Sequence, residues 1–291
     1  MSACSESMLE SINGFQILRK IAESNTAEIF HVIRLVGRGR GNEFAAKVLR
    51  EVFAEDPTER AYLENEYRLC ASLDHPNLVH AHELILATVR PFIVLDLIVG
   101  QSLRTHLEKG RPPLAAALEW LAQAAEGLAH LHDQGYVHRD VKPQNMVIGD
   151  NGNVKMIDFA LATEQDTSLG KHFWRRLKER RRPGTWSYMA PEQILNQRLT
   201  GQADVYSLGV SAFKVTAGRL PYVSTTSQGL LEQHLYGLVP SVRATRPDVP
   251  VELDAFIKAM MTKEPLDRPM NMLYVSAKLR YLATRCANIK D

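Results

Sequence analysis

Two aspartates, an asparagine and a lysine stand close together near the middle of the chain, at Asp140, Lys142, Asn145 and Asp158. Carboxylate and amide oxygens are hard ligands of the kind that Mg²⁺ prefers in proteins. A carboxylate can also accept a proton from a hydroxyl group, and a nearby lysine can offset developing negative charge. These residue types suit phosphoryl transfer, which requires charge neutralisation and alignment more than covalent help.

Three ordered motifs contain or follow these residues. The segment His-Arg-Asp-Val-Lys-Pro-Gln-Asn occupies positions 138–145, Asp-Phe-Ala occupies 158–160, and Ala-Pro-Glu occupies 190–192. Their order and separation resemble the catalytic loop, the metal-binding motif and the end of the activation segment of the eukaryotic-like (Hanks-type) Ser/Thr protein kinases. The ending Tyr-Met-Ala-Pro-Glu-Gln at 188–193 resembles bacterial members of that family.

The resemblance implies a role for each of the central residues. Asp140 would orient the attacking hydroxyl or accept its proton, and Lys142 would lie near the γ-phosphate of ATP. Asn145 and Asp158 would hold Mg²⁺, with Mn²⁺ as an alternative ion. The lysine at position 142 resembles the Ser/Thr branch of the family rather than the tyrosine kinases.

The resemblance also implies a lysine–glutamate pair nearer the N-terminus. Lys47, in the segment Phe-Ala-Ala-Lys, would hold the α- and β-phosphates of ATP. Glu66 lies on a predicted helix where the family's ion-pair glutamate belongs, and Glu64 stays open as the alternative partner.

The remaining nucleotide contacts follow from the same resemblance. The adenine would lie between Ile21 and Val32 on one side and Ala45 on the other, and Leu95 would limit the back pocket. Backbone groups of the hinge would bond the adenine edge. The full set of implied nucleotide-binding residues is Ile21, Ala22, Ser24, Ala27, Val32, Ala45, Lys47, Leu95, Asp96 and Ile98.

The chain departs from the family where glycine is expected. Ala22, Ser24 and Ala27 replace the three glycines of the phosphate-covering loop, and alanine in a left-handed conformation costs about 1–2 kcal/mol. We therefore expect weaker nucleotide binding if the loop adopts those angles. Ala160 replaces another glycine and predicts a shifted backbone equilibrium without loss of metal binding. Gly37, Gly39 and Gly41 follow the second predicted strand and indicate a hairpin turn.

The surrounding pattern predicts an α+β fold, bilobal and protein-kinase-like. A small antiparallel-sheet N-lobe with one main helix (58–73) would span 14–97, and a larger helical C-lobe would span 98–285. The hinge would lie at 96–100, with a loose tail at 1–13 and another at 286–291. Apolar residues at steps of three and four predict one long helix: Leu114, Leu118, Leu121, Ala125, Leu128 and Leu131. The predicted strands are 15–21, 29–36, 43–49, 79–86 and 92–97.

Composition excludes several other classes of protein. The 291 residues carry a net charge of only +2, and three cysteines form neither a disulfide framework nor a zinc pattern. The N-terminal residues do not resemble a signal peptide, and no apolar run is long enough to span a membrane. These features predict a cytoplasmic protein.

One strongly basic segment lies between the second and third motifs. Residues 171–182 contain seven Lys or Arg and one Glu, a local charge of +6. The segment is consistent with a solvated loop or with a docking patch for acidic or phosphorylated protein partners. Nucleic acid is a third alternative, which the few aromatic residues do not favour. Upstream, Thr163, Thr167 and Ser168 are candidate phosphorylation sites.

Three hypotheses of function remain open on these observations. The first is a protein kinase that transfers the γ-phosphate of ATP to Ser or Thr hydroxyls of proteins. The second is a pseudokinase scaffold, favoured only by Ala160 and by the altered phosphate loop. The third is a small-molecule phosphotransferase, which the Ala-Pro-Glu motif argues against because such enzymes lack that ending.

Overall fold

The computed structural model describes residues 11–165 and 185–287, and the chain divides into two compact units. The first unit takes the residues up to 74 together with 79–98. The second takes 75–78 and the residues from 99 onward. The predicted lobe boundary between 97 and 98 stays a prediction.

The first unit is built on an antiparallel sheet of six strands, in the order β1-β2-β3-β4-β6-β5. In the described part of this unit, one long helix, α1 (Pro57–Ser72), accompanies the sheet. The strands are β1 (Ser11–Ile12), β2 (Phe15–Glu23), β3 (Ala27–Arg34), β4 (Glu43–Leu49), β5 (Ala81–Ile85) and β6 (Phe92–Asp96). The predicted tail extended too far, because Ser11 and Ile12 already pair with β2 and Ile12 is buried in the core.

Alternation along the strands separates two faces of this sheet. On one face a buried cluster forms the apolar core of the unit, comprising Ile12, Phe15, Val32, Phe44, Ala46, Val48, Phe92 and Val94. The opposite face carries Ala45, Lys47, Ile93 and Leu95, because each of these alternates with a member of the core cluster. The lysine predicted to bind phosphate therefore lies on the face opposite the core cluster.

Helix α1 begins where the sequence predicts. The Asp56 carboxylate accepts hydrogen bonds from the Thr58 and Glu59 amides at 2.8 and 3.3 Å, and Pro57 occupies the first turn. Such a cap satisfies backbone N–H groups that have no partner within the helix. The buried side of α1 contains Leu63 and Glu66.

The glycines at 37, 39 and 41 form the β3–β4 hairpin turn, as predicted. Their φ angles are 79°, 82° and 86°, a region that glycine enters without steric cost. The Gly41 amide donates to the Arg34 carbonyl at 2.9 Å, which closes the turn. These glycines therefore shape a hairpin and do not substitute for the phosphate loop.

The second unit is mainly helical. Its helices are α2 (Leu103–Lys109), α3 (Leu114–Asp133), α4 (Pro191–Ile194), α5 (Gln202–Ala217), α6 (Ser227–Tyr236), α7 (Val251–Met260) and α8 (Met272–Cys286). Its short strands are β7 (Gly100–Ser102), β8 (Tyr136–Val137), β9 (Met146–Gly149), β10 (Val154–Met156) and β11 (Thr163–Glu164). They form a β10-β9-β7 sheet and a β11-β8 pair.

Helix α3 is the long helix that the apolar spacing predicts. All six predicted residues of its apolar face are buried, and the helix packs against α8 and α5. Among the helices of the described ranges, none is long and apolar enough to cross a membrane. The cytoplasmic location stays a prediction.

Candidate active site

The first unit contains the predicted lysine–glutamate pair. Lys47 Nζ lies 2.5 Å from Glu66 Oε2, and the exposed fractions of the two side chains are 16% and 1%. Glu66 lies on the buried side of α1, whereas Glu64 is exposed. The alternative partner is therefore excluded, because helical periodicity turns its side chain toward solvent.

Strand register corrects one of the predicted adenine contacts. Val32 pairs with Phe44, is fully buried and belongs to the core cluster, so it lies on the face opposite Lys47. Ile29 pairs with Lys47 and therefore shares its face. Because side chains alternate along a strand, a shift of three residues exchanges one face for the other. The predicted contact at Val32 is therefore wrong, and Ile29 is the apolar residue of β3 that shares the face of Lys47.

The hinge residues divide between the two faces in the same way. Leu95 pairs with Ala45, and both lie on the Lys47 face. Asp96 pairs with Phe44 and turns its carboxylate to His82, whose Nε2 lies 2.9 Å from Asp96 Oδ1. The Asp96 amide donates to the His80 carbonyl at 3.0 Å, and Ile98 is half-buried. The Asp96 carboxylate is therefore already bonded to another side chain of the sheet.

The turn between β2 and β3 does not use the angles that glycine would provide. Ala22, Ser24 and Ala27 all avoid positive φ. The Ser24 amide instead donates to the Ala27 carbonyl at 2.7 Å, and the Ala27 amide donates to Ser24 Oγ at 3.0 Å. The strain that left-handed alanines would cause is absent. Ile21 lies in the β2 bulge before this turn and is exposed.

In the second unit, three residues of the catalytic-loop motif bond to one another. Asp140 Oδ2 accepts hydrogen bonds from Lys142 Nζ at 2.6 Å and from Asn145 Nδ2 at 3.0 Å. Asn145 Nδ2 also donates to the Asp140 backbone carbonyl at 2.9 Å. The Asp140 carboxylate is thus fixed by a cation and an amide, and the Asn145 side-chain oxygen is directed away from it.

Asp204 of α5 forms hydrogen bonds with the backbone of this loop. Its two carboxylate oxygens accept the His138 and Arg139 amides, each at 2.8 Å. Burial raises the pKa of Asp204, but bonding and charge from His132 and His138 outweigh it and leave the pKa below its usual value. Asp204 therefore stays ionised and holds Arg139 in its left-handed conformation, with φ of 69°.

The metal-binding motif lies directly beside the catalytic loop. The Ile157 amide donates to the Asn145 carbonyl at 3.0 Å, and His138 Nε2 lies 3.2 Å from the Ile157 carbonyl. The next residue, Asp158, has φ of 67°, which is unusual for a residue other than glycine. The rings of His138 and Phe159 are in contact at an interplanar angle of 51°, with their centroids 4.8 Å apart. These contacts fix the backbone on both sides of the Asp158 carboxylate.

Asp158 and Asn145 have the chemistry that Mg²⁺ requires. Both offer hard oxygen ligands, and the Asn145 amide nitrogen is already engaged with Asp140. Within the described residues, no cluster of three or more His, Cys, Asp or Glu is able to hold a metal ion. This small ligand set fits Mg²⁺, which is bound by one or two carboxylates and takes further ligands from phosphates and water.

Soon after Asp158 the chain forms the short strand β11, which pairs with β8. Thr163 pairs with Val137 in the β11–β8 ladder, and its hydroxyl is buried. Burial makes Thr163 a poor phosphorylation site. Thr167, Ser168 and the basic segment 171–182 lie outside the described residues.

A buried ion pair lies at the end of the third motif. Arg268 Nη1 and Nη2 donate to the Glu192 carboxylate oxygens at 2.7 and 2.9 Å. Arg268 also donates to three backbone carbonyls, those of Thr262, Lys263 and Gln202. Every N–H of the guanidinium group is therefore used, which locks the start of α4 to the segment before α8.

Two further residues support the loop and were missed in the sequence. His132 Nε2 lies 2.8 Å from Asp204 Oδ2, and Gln193 Nε2 donates to the Arg139 carbonyl at 3.0 Å. Only Gln193 had a signal, as the residue directly after the Ala-Pro-Glu motif. His132 had none, because it lies on α3 and meets its partner only through the packing of α3 on α5.

The fold and these contacts together define a class of protein. Residues 15–278 match the family described as protein kinase domain. The chain belongs to this family, and the predicted resemblance is confirmed. Its α+β fold is that of a kinase domain. It is similar to the crystal structure of the PknI kinase domain of Mycobacterium tuberculosis, with a TM-score of 0.69 and 23% identity over 94% of this chain and 97% of that one.

Several curated relatives are bacterial proteins, in agreement with the Tyr-Met-Ala-Pro-Glu-Gln ending. The chain is 32% identical over 258 residues to the serine/threonine-protein kinase PknH of Mycobacterium bovis, covering 82% of this chain and 41% of the relative. It is 29% identical over 255 residues to the serine/threonine-protein kinase PrkC of Bacillus subtilis, covering 87% and 38%. For PknL of Mycobacterium tuberculosis the identity is 30% over 280 residues, covering 94% and 66%. The chain thus spans about two fifths of the first relatives that it matches.

Proposed function

We propose that this chain is an ATP- and Mg²⁺-dependent protein kinase that phosphorylates Ser and Thr hydroxyls of other proteins. The observation that carries the proposal is the bonded set Asp140–Lys142–Asn145, with Asp158 fixed beside it. Each residue type that phosphoryl transfer requires is present, and the Lys47–Glu66 pair is formed as well. The names of the relatives, all serine/threonine-protein kinases, support the same class of substrate.

Asp140 is the residue that acts on the substrate hydroxyl. Its carboxylate is held by Lys142 at 2.6 Å and by Asn145 at 3.0 Å, so its orientation is set before a substrate arrives. A carboxylate fixed in this way aligns the hydroxyl for attack and accepts its proton as the bond forms. The Lys142 side chain lies beside this carboxylate, where it offsets negative charge on the transferred group.

Lys47 and the metal ligands act on the phosphates of ATP. The Glu66 carboxylate holds the Lys47 ammonium in one position, which fits a lysine that contacts the α- and β-phosphates. Asp158 and Asn145 would hold Mg²⁺, which when bound neutralises charge on the phosphate oxygens. The adenine would contact Ile29, Ala45 and Leu95, the apolar residues of the Lys47 face.

We further propose that protein partners dock on the basic segment 171–182. Its charge of +6 would attract acidic or phosphorylated segments of a substrate, and the attraction would weaken as salt is added. Reversing two of these charges, as in R175E/R176E, should raise the KM for an acidic protein substrate and leave the KM for ATP unchanged. An equal effect on neutral and acidic substrates would contradict docking.

The proposed activity is tested by intact-mass measurement after incubation with ATP and Mg²⁺. The wild type should gain one or more phosphates, or transfer them to a protein substrate, and D158N should not. Asp150 lies in an exposed turn, so D150N is a matched loss of one carboxylate that should leave the activity unchanged. Phosphate on Ser or Thr, and none on Tyr, would establish the substrate hydroxyl.

The two other hypotheses give different results in the same experiment. A pseudokinase scaffold would show no transfer by wild type or variant, while any ATP binding would appear as an increase in melting temperature. A small-molecule phosphotransferase would consume ATP only with an added alcohol or amine and would leave proteins unmodified.

A further inference from the structure

The turn between β2 and β3 is closed by one serine side chain. Ser24 Oγ donates to the Ala27 carbonyl at 3.1 Å and accepts the Ala27 amide at 3.0 Å. The Ser24 amide donates to the same carbonyl at 2.7 Å. Both polar backbone groups of Ala27 are therefore bonded to Ser24 across a turn of four residues.

Arg50, directly after β4, fixes this turn from outside. Its amide donates to the Thr26 carbonyl at 2.8 Å, and its Nε donates to the Ser24 carbonyl at 3.2 Å. Its Nη2 donates to Glu23 Oε2 at 3.0 Å. The last residue of β2 and two carbonyls of the turn are thus tied to a single arginine.

A second arginine binds the base of the same hairpin. Arg90 Nη2 donates to Glu28 Oε2 at 2.6 Å, and its Nε donates to the Leu49 carbonyl at 2.8 Å. Glu28 lies on β3 directly after the turn. The hairpin is therefore held against the end of β4 on both of its strands.

We propose that Ser24 and Arg50 are positioning residues for nucleotide binding, and that they replace the glycines of the phosphate-covering loop with a turn set by side chains. This inference rests on the proposed function, since it concerns the binding of ATP. The amides of Ser24 and Ala27 are already bonded within the turn, so neither donates to phosphate. The closed turn instead forms a rigid boundary of the nucleotide site. The affinity of the protein for nucleotide therefore depends on the turn staying closed.

The proposal gives Ser24→Gly an effect opposite to the one that the family pattern suggests. Glycine would match the family at this position, but it removes both Oγ hydrogen bonds and adds backbone freedom. If only a minor fraction of the molecules has the turn closed, the apparent affinity for ATP is reduced in proportion to that fraction. We expect the KM for ATP to rise about 5- to 10-fold, which corresponds to about 1–1.4 kcal/mol, with little change in kcat.

Ser24→Ala and Arg50→Met should act in the same direction as Ser24→Gly. Ser24→Thr keeps the hydroxyl and should stay within about twofold of the wild type, because both Oγ bonds are retained. The matched control is Ser72→Ala on α1, which removes a serine hydroxyl bonded to the Leu69 carbonyl at 3.0 Å. That control should leave the KM for ATP unchanged.

Hydrogen exchange of the nucleotide-free protein tests the turn independently of activity. The amides of Ala27 and Arg50 should exchange faster in Ser24→Gly and Ser24→Ala than in the wild type and in Ser24→Thr. Faster exchange together with a raised KM supports the proposal. Unchanged exchange, or a lower KM in Ser24→Gly, overturns it. A wild type that binds no ATP would overturn the proposed function, and with it the role of the turn in binding.

Discussion

The buried pair of Glu192 and Arg268 allows a sharp prediction about stability. The Arg268 side chain is fully buried, and the Glu192 side chain is only 4% exposed. Replacing Arg268 by methionine keeps much of the apolar volume but removes all five hydrogen bonds of the guanidinium group. Glu192 would be left as an uncompensated charge beside three backbone carbonyls that have lost a donor.

The expected loss follows from the burial of the pair. Removing one partner of a buried ion pair costs about 3–5 kcal/mol, a large part of the roughly 5–15 kcal/mol that stabilises a typical protein. For a unit of this size the melting temperature should fall by about 6–20 °C. Breaking the exposed Arg104–Glu108 pair, whose side chains are 52% and 59% exposed, should cost less than about 1 kcal/mol. Arg104→Met is therefore the matched control.

Urea unfolding followed by circular dichroism measures both losses. A second variant, R268M/E192Q, removes the stranded charge and should regain at least about 1 kcal/mol relative to Arg268→Met. The reasoning would be refuted if Arg268→Met cost no more than Arg104→Met. It would also be refuted if neutralising Glu192 gave no recovery, because the penalty would then not come from a buried charge.

Three further perturbations test the site and its support. Lys47→Met should destabilise the first unit by about 3 kcal/mol, because it leaves the buried Glu66 carboxylate without its cation, and it should lower kcat/KM for ATP at least about 100-fold. Adding Glu66→Gln should restore the stability measured by urea unfolding, but it should not restore the activity. Asp204→Asn should lower the free energy of unfolding by about 1–3 kcal/mol and lower kcat, because a donor NH2 group replaces one of the two oxygens that accept the loop amides. Equal activity would contradict the positioning role of Asp204. Burial and nearby positive charge lower the pKa of His234 to about 3, so the unfolded chain binds its proton first. Stability should fall as pH drops from about 6.5 toward 3, by up to about 1.4 kcal/mol per unit, and His234→Asn should show a shallower slope in unfolding titrations.

Much of the second unit was predictable because its functional residues lie in short segments with fixed spacing. The order and spacing of the motifs that contain Asp140, Asn145 and Asp158, together with the Ala-Pro-Glu ending, predict the family. Helical periodicity predicted the buried face of α3, whereas the choice between Glu66 and Glu64 needed the burial of Glu66 in the folded helix. No local pattern predicts the contact of Glu192 with Arg268, because 76 positions separate the two residues.

Tertiary structure decided the features that depend on strand register and on packing. Val32 and Ile29 are both apolar residues of one strand, and only pairing with β4 shows which of them shares the face of Lys47. The conformation of the β2–β3 turn depends on Arg50, which lies beyond the following strand. His132 and Asp204 are 72 positions apart in the chain and lie on two different helices, so only the packing of these helices brings them together. The sequence alone determined which reactive side chains the protein has and in which order they follow one another, because a motif is defined by residue type and order. Only the folded chain decided which side chains meet, because register and packing bring together residues that local patterns do not connect.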